Sequence, residues 1–361
     1  MKPCNVAIAC GVAGVAVGLA AAAGVIYHKQ IKSATSLKRL TDYADGYDLY
    51  AIGIAYDYDL DRIIAADVRD DQAYIDAVLA QVLPGVPAHV QAPQFACSAF
   101  AAVDAEGRVR TGRNYDFKDD TSALLVRNHP RDGYASIGFA ALNNLSANTP
   151  LDSVAGRAAA LMGPFAQLDG VNECGVSIAV LTLDSKPCDQ DTQRPVINTS
   201  LAIRLVLDRA ATTQEAVDLL SAYDMHAMAG RDYHFFINDA AGDARVVEWD
   251  PRDPDRTCKA TPVRQVTNFY ACYEDEVLPN QKNGELGHGK ERAIAIADVL
   301  DARAGTQDES VAWKALRAAA QDPNPEDITS NTQWSVVFDN TEPAAAITLR
   351  RHWGDVGAFA L

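Results

Sequence analysis

One cysteine in the sequence is followed, at close spacing, by side chains that can activate a thiol. Cys97 precedes two β-type runs, and a turn at Gly107 joins these runs into a hairpin. If residues near 104 and 108 face each other, Cys97 lies opposite the region around residue 115. Arg113 and Asp116 then come to its side. A guanidinium beside a thiol favours the thiolate, so the spacing predicts a nucleophilic Cys97.

A second chemical role follows if Cys97 is the first residue of a mature chain. A free α-amine titrates near ~7.7 to 8.0 and can act as the base for its own side chain. Asp116 is then placed to orient that amine. Cys97 supplies both nucleophile and base in this scheme, which requires an internal cut between Ala96 and Cys97.

The elements that must position these residues alternate between short strands and helices. The pattern predicts strands at 98–103, 108–113, 176–183, 234–238, 244–249, 263–267, 334–338 and 345–349. It predicts helices at 201–208, 290–303 and 309–320, another opened by the capping box Thr212-x-x-Glu215, and one after Asp70. Antiparallel-looking strands interleaved with helix pairs indicate an α+β fold of stacked sheets covered by helices.

Several segments resemble the choloylglycine hydrolase family of linear-amide hydrolases, which includes bile salt hydrolases, penicillin V acylases and enzymes like N-acylethanolamine acid amidase. The resemblance covers roughly residues 97–361. Its segments are Cys97-Ser98-Ala99-Phe100, Gly112-Arg113-Asn114-Tyr115-Asp116-Phe117, Leu168-Asp169-Gly170-Val171-Asn172-Glu173-Cys174-Gly175-Val176, Val266-Thr267-Asn268-Phe269 and Glu291-Arg292. It implies an N-terminal-nucleophile αββα sandwich of two mostly antiparallel sheets.

The resemblance also implies a mechanism and a set of catalytic residues. Cys97 attacks a linear carboxamide and forms a thioester, which water then hydrolyses. Asn172 and Asn268 hold the oxyanion, and Arg292 is a second active-site arginine beside Arg113 and Asp116. This chemistry uses no cofactor and no metal ion, and we predict neither. The acyl group and the amine of the substrate stay open.

Other interpretations compete with this one. An acyltransferase on the same fold would pass the acyl group to an amine, and a membrane-bound binding protein could keep the fold without activity. A Cys-His pair using His234 or His129 is a different nucleophile scheme. Arg113 and Asp116 alone would also fit a structural salt bridge.

Composition limits the partners and the cysteine chemistry. A net charge of −16 with a pI near 4.8 argues against nucleic acid, which binds clustered Lys and Arg, and favours a small-molecule amide as partner. A homo-oligomer stays open. The seven cysteines show no zinc spacing, and a disulfide among Cys174, Cys188, Cys258 and Cys272 is undecided.

The amino-terminal region predicts a membrane segment. Residues 6–27 carry no charge, and a helix of this length can cross a bilayer, so residues 1–28 are predicted to be an anchor or a signal. Residues 29–96 form a pro-segment or linker with its own small fold, followed by the catalytic domain at 97–361. We expect this domain outside the cytoplasm, although the flanking charges favour the opposite orientation, and released if the cut before Cys97 is made.

Overall fold

The computed structural model describes residues 27–84, 96–145, 147, 151, 153–324, 326–327 and 330–361. Apart from Tyr27, the apolar segment that predicts an anchor lies outside these residues. Within the described part of the chain, no helix combines the length and the apolar character needed to span a bilayer. The anchor therefore stays a prediction.

Nineteen strands are found among the described residues. They are β1 Lys38–Arg39, β2 Leu49–Gly53, β3 Ala96–Val103, β4 Val109–Asp116, β5 Ala123–Asn128, β6 Ser136–Ala141, β7 Gln167–Asn172, β8 Ser177–Leu183, β9 Val196–Asn198, β10 Asp224–His226, β11 Asp232–Asn238, β12 Ala244–Trp249, β13 Cys258–Pro262, β14 Gln265–Val266, β15 Asn268–Phe269, β16 Gly287–His288, β17 Thr332–Asp339, β18 Ala344–Leu349 and β19 Gly357–Ala360.

The same residues form eight α-helices and three short 3₁₀ turns. The helices are α1 His28–Ser36, α2 Leu60–Ile64, α3 Asp71–Val82, α4 Val154–Ala160, α5 Thr199–Arg209, α6 Thr213–Ser221, α7 Lys290–Asp301 and α8 Glu309–Ala319. The 3₁₀ turns are Leu142–Leu145, Gly163–Phe165 and Ala271–Glu276.

Two large sheets carry the fold. The first has nine strands in the order β1-β2-β5-β6-β7-β8-β11-β12-β13, and the second has six in the order β14-β3-β4-β17-β18-β19. All neighbours in these sheets are antiparallel except β2 and β5. Two small ladders, β9 with β10 and β15 with β16, complete the pairing.

Helices cover the outer face of each sheet. Helices α5 and α6 pack on the nine-stranded sheet, and α7 and α8 pack on the six-stranded sheet. Phe100 and Ala102 of β3 belong to the same apolar cluster as Ile296 and Leu316 of that second helical layer, while Cys97 faces the core between the sheets. The predicted α+β sandwich with helices on both sides is confirmed.

Local sequence signals place several elements correctly. Thr212 caps α6 by accepting a hydrogen bond from the Glu215 N–H at 3.1 Å, and Asp70 caps α3 through the Ala73 N–H at 2.8 Å. The hairpin turns at Gly107, whose φ of 81° is a backbone conformation that glycine adopts without strain.

The segment before Cys97 is part of the main fold. Strand β2 pairs in parallel with β5, and the Tyr74 hydroxyl donates to the Phe165 carbonyl at 2.8 Å. Val78 and Val82 of α3 are fully buried in the common core. The expectation of a separate small fold for residues 29–96 is therefore wrong for the described part, because these elements bury their apolar faces against the catalytic domain.

Candidate active site

The hairpin of β3 and β4 positions Cys97. Cys97 is paired with Tyr115, and Ala99 with Arg113, which is the predicted register. Directly opposed residues project to the same face of a sheet, so Cys97 and Arg113 both point into the layer between the two sheets. Asp116 is opposite Ala96 and therefore lies on the other face.

Arg113 holds the thiol from the inner face. Its Nη2 donates to Cys97 Sγ at 3.3 Å and to the Val180 carbonyl at 3.2 Å. Its Nε lies 3.1 Å from Asp169 Oδ2, an ion-pair contact without the alignment of a hydrogen bond. The guanidinium also lies over the Trp334 ring. A fully buried cation thus sits beside the sulfur, fixed by a carboxylate and an aromatic face.

Two other side chains hold the main chain of Cys97. Asn268 Oδ1 accepts from the Cys97 N–H at 3.1 Å and from Arg292 Nη2 at 2.7 Å. Arg292 Nη1 donates to the Cys97 carbonyl at 2.9 Å. Asn268 Nδ2 donates to the Thr182 carbonyl at 2.8 Å, which fixes the orientation of the amide. The structure therefore brings Asn268 and Arg292 to the main chain of Cys97.

Asp116 reaches Cys97 indirectly. Its carboxylate accepts from Thr332 Oγ1 at 2.6 Å, Gln321 Nε2 at 2.8 Å and Arg292 Nη1 at 3.3 Å. In this uncut chain the Cys97 nitrogen is bonded to Asn268, so the direct contact between Asp116 and that nitrogen is not formed. Burial raises the pKa of Asp116 above its ordinary value, although Arg292 and its hydrogen-bond donors oppose the shift.

The thiol of Cys97 is neutral in this state. Burial raises its pKa to about 12, against the opposing effects of Arg113, Arg292 and the Asp116 main-chain N–H. A thiol with this pKa carries almost no thiolate near neutral pH. In the uncut chain the Cys97 thiol is therefore held in place by its neighbours but is not activated as a thiolate.

Asp169 is a functional candidate for which no sequence motif predicted a role. Its Oδ2 contacts Arg113 and accepts from Trp334 Nε1 at 3.1 Å. Burial raises the pKa of Asp169 to about 6, although Arg113 and Trp334 oppose this effect. The alternation of side chains along a strand could have indicated this position. Residues 169 and 171 of β7 project to the same face, so if the apolar Val171 faces the core, Asp169 faces it as well.

The same alternation removes Asn172 from the site. Asn172 is three positions after Asp169 on β7 and projects to the outer face, where Nδ2 donates to the Leu207 carbonyl at 3.2 Å and the Ala210 carbonyl at 2.7 Å. Its Oδ1 accepts from the N–H groups of Cys174 and Val176. The position of Asn172 does not fit the oxyanion role that the resemblance implies. Its side chain instead connects the turn after β7 to the carboxyl end of helix α5.

The two histidines considered as partners for Cys97 are also elsewhere. His234 is fully buried, with Nδ1 3.2 Å from Glu248 Oε2 and Nε2 3.0 Å from the Thr267 carbonyl, so both ring nitrogens are occupied. His129 is exposed. A Cys-His pair with either residue is inconsistent with these positions.

The other cysteines in the described part of the chain form no disulfide. Cys174, Cys188, Cys258 and Cys272 are free thiols, which answers the disulfide question for the described residues. Within those residues, no three His, Cys, Asp or Glu side chains are grouped as ligands of a metal ion.

Two stacked sheets between helical layers, with a cysteine on an inner strand held by arginine and asparagine, define the class of N-terminal-nucleophile hydrolase folds. The family model for acyl-coenzyme A:6-aminopenicillanic acid acyl-transferase matches residues 103–351. The chain belongs to this family, and the resemblance to the choloylglycine hydrolase family is confirmed. The matched range contains Arg113, Asp116, Asn268 and Arg292 and begins after Cys97. No curated protein matches the chain.

Solved structures support the fold. Two structures of conjugated bile acid hydrolase from Clostridium perfringens, both at 16% identity, give TM-scores of 0.56 and 0.55 and cover 73% of this chain and 92% of theirs. Penicillin V acylase from Agrobacterium tumefaciens gives a TM-score of 0.51 at 20% identity, covering 70% of this chain and 83% of its own. At these identities the likeness establishes the architecture only.

Proposed function

We propose that the protein is an amidase that cleaves a linear carboxamide through a thioester on Cys97, after the bond between Ala96 and Cys97 is cut. The proposal rests on the contacts that Cys97 receives from two sides. Arg113 contacts the sulfur, while Asn268 and Arg292 contact the main-chain nitrogen and oxygen. A merely structural cysteine has no need of two buried arginines.

Cutting the chain changes the chemistry of the Cys97 nitrogen. The amide nitrogen, which cannot accept a proton near neutral pH, becomes an α-amine that can take the proton of the thiol. The sulfur then attacks the substrate carbonyl carbon, and the amine returns the proton to the leaving nitrogen as the C–N bond breaks. Water next attacks the thioester and restores the thiol. Arg113 stabilises the thiolate throughout.

Asn268 is the oxyanion donor in this proposal. Its Nδ2 carries two N–H bonds, of which one goes to the Thr182 carbonyl. The second N–H is assigned to the substrate oxygen as it gains negative charge. Bonds from Cys97 and Arg292 to Asn268 Oδ1 hold the amide before substrate binds, which makes such a donor effective.

Acyl transfer to an amine is the second candidate, and the family description favours it. Both reactions share the thioester and differ in what attacks it. A time course with an amide substrate and an added amine separates them, since a hydrolase gives free acid and a transferase gives a new amide. An inert binding protein would give neither product.

Intact-mass measurement tests the cut directly. We expect wild-type protein to yield a fragment that begins at Cys97, and Cys97→Ala to stay full length. A panel of amides with bile-acid, phenoxyacetyl, fatty-acyl and aminoacyl groups then identifies the substrate. Amide hydrolysis by a chain that still carries Ala96 on Cys97 would overturn the amine-base mechanism.

Membrane anchoring through residues 1–28, with the catalytic domain outside the cytoplasm, is part of the proposal. The support is the uncharged stretch at 6–27. Fractionation of cells that express the full chain tests it, and recovery of all uncut protein in the soluble fraction would contradict it.

A further inference from the structure

The turn after β18 contains two consecutive arginines in the left-handed region of backbone conformation. Arg350 has a φ of 39° and Arg351 has a φ of 63°. A residue with a side chain adopts this region at a cost in free energy, whereas glycine does not. Such strain persists only where surrounding contacts hold it. The two arginine side chains therefore make contacts that a turn built from glycine would lack.

Arg350 holds the part of the chain that precedes the cut. Its Nη1 donates to Asp45 Oδ2 at 2.5 Å, and its Nη2 donates to Asp45 Oδ1 at 2.8 Å. The bonds from Arg350 are the main cause of a lowered pKa at Asp45, so this carboxylate is an anion. The guanidinium also lies over the rings of Tyr43 and Tyr47, and the ring of His352 stacks on Tyr43 with centroids 4.5 Å apart. The turn is thus fixed to the amino-terminal segment.

Arg351 points to a different group of residues. Its Nη1 donates to the main-chain carbonyls of Gln321 and Thr332, both at 3.0 Å, and to Asn331 Oδ1 at 3.1 Å. Gln321 and Thr332, here called the support pair, also bond to each other. The Thr332 N–H donates to the Gln321 carbonyl at 2.9 Å, and the Gln321 N–H donates to Thr332 Oγ1 at 2.8 Å. One nitrogen of Arg351 therefore fixes both carbonyls of the support pair.

The support pair holds the carboxylate of Asp116. Thr332 Oγ1 donates to Asp116 Oδ1, and Gln321 Nε2 donates to Asp116 Oδ2. Asp116 is fully buried, so these bonds and the one from Arg292 determine where its carboxylate lies. Once the chain is cut, this carboxylate is placed to orient the α-amine of Cys97. A small displacement of the support pair would therefore misplace a group on which the reaction depends.

We propose that Arg351 is a positioning residue for Asp116, and that the bond between Arg350 and Asp45 makes the amino-terminal fragment part of this support. Because the two arginines are neighbours in one strained turn, a loss of the contact with Asp45 changes the position of Arg351. The inference rests on the proposed function, in which the α-amine of Cys97 is the base. A mature enzyme without its amino-terminal fragment would keep its nucleophile and turn over more slowly.

Hydrogen exchange in the uncut Cys97→Ala chain tests the link without any turnover. Arg351→Met removes the bonds to the support pair, and Asp45→Asn removes the charge that holds Arg350. Asp42→Asn is the matched control for Asp45→Asn, because it neutralises an exposed carboxylate of the same loop.

Mass spectrometry of peptides that contain the N–H groups of the support pair gives the result. Exchange should be at least about fivefold faster in Arg351→Met and in Asp45→Asn, because the opening of this region becomes easier. Exchange in Asp42→Asn should match the parent chain. Equal exchange in Asp45→Asn and Asp42→Asn would reject the link to the amino-terminal segment.

Turnover provides the second measurement, with rates expressed per Cys97 thiol that reacts with iodoacetamide. Arg351→Met should lower kcat about 10- to 100-fold and change KM less than about threefold, because a misplaced catalytic group slows the reaction more than it weakens binding. Arg351→Lys keeps a donor nitrogen and should recover at least about threefold of this loss. Arg317→Met is the control, because it removes an exposed arginine that lies over Trp353 in the same carboxyl-terminal segment. It should stay within about twofold of wild type.

Arg351→Gly distinguishes positioning from stability. Glycine relieves the left-handed backbone, so this variant should resist urea at least as well as Arg351→Met and still lose kcat to the same extent. If kcat instead follows the urea midpoint, with Arg351→Gly the most active of the substituted proteins, Arg351 has a structural role only and the proposal is wrong.

The two measurements separate this link from the reaction itself. If no amide in the panel is cleaved, the proposed function fails, while faster exchange in Arg351→Met and Asp45→Asn would still support the link to the support pair. If amides are cleaved and kcat is unaltered in Arg351→Met, the positioning role fails and the amidase remains.

Discussion

Replacing Asn268 by alanine removes the proposed oxyanion donor, and replacing Asn172 by alanine provides a control at an asparagine to which the family resemblance gives the same role. Asn268 contacts Cys97 and Arg292, whereas Asn172 contacts only main-chain groups on the outer face of the nine-stranded sheet. The two variants test whether only the asparagine that contacts Cys97 contributes to the reaction.

We expect Asn268→Ala to lower the catalytic rate and Asn172→Ala to lower the stability of the fold. Loss of one oxyanion donor typically lowers the rate ~10²- to 10³-fold, and we expect this drop in kcat/KM for Asn268→Ala. Asn172→Ala leaves two carbonyls and two N–H groups without their buried partner. Because these buried groups lose their hydrogen-bond partner, we expect a loss of about 2–4 kcal/mol in the free energy of unfolding. Its kcat/KM should stay within about threefold of wild type.

Three measurements on each variant separate these effects. Intact mass gives the fraction cut before Cys97, labelling with iodoacetamide gives the concentration of active thiol, and urea denaturation gives the stability. Rates are then expressed per active thiol. A 100-fold loss in Asn172→Ala that is cut and folded like wild type, or an unaltered rate in Asn268→Ala, would refute the reasoning.

Three further predictions concern titration, thiol reactivity and assembly. Burial raises the pKa of Asp169 from 3.8 to about 6, so the folded protein binds a proton that the unfolded chain has lost in this window. The free energy of unfolding should therefore fall as pH rises through it, and Asp169→Asn should flatten the curve of urea midpoints against pH; an unchanged slope contradicts the assignment. In the uncut chain, iodoacetamide at pH 8 should label the partly exposed Cys174 before the buried Cys97, and peptide mapping after the cut should find Cys97 labelled fastest. The fragment ending at Ala96 should co-elute with the fragment starting at Cys97 in native gel filtration, and separate elution would contradict the shared core.

The sequence predicts best what depends on neighbouring residues. Thr212 and Asp70 predict helix starts because a cap bonds to an N–H group three positions away. Cys97 lies opposite Tyr115 because the turn at Gly107 sets the register of the hairpin. These signals were sufficient to bring Cys97, Arg113 and Asp116 to one hairpin.

Contacts between distant segments could not be predicted in this way. Strands β5 and β6 were missed because they are buried on both faces and show no alternation of polar and apolar residues. Asn172 and Asn268 look equivalent in sequence, and only the packed sheets show which one faces Cys97. Asp184, which follows β8, pairs with His288 on β16 at 2.6 Å, and no local motif predicts a contact between two segments so far apart in the chain.

The place of β2 inside the nine-stranded sheet changes how the protein recovers from unfolding. Before the cut, β2 and β5 belong to one chain, so folding is unimolecular and independent of protein concentration. After the cut the same pairing joins two molecules, and refolding becomes second order. When the cut protein is diluted in denaturant, the amino-terminal fragment that carries β2 would separate and not reassociate at low concentration. The uncut Cys97→Ala chain would refold. The persistence of the mature enzyme then depends on its rate of unfolding.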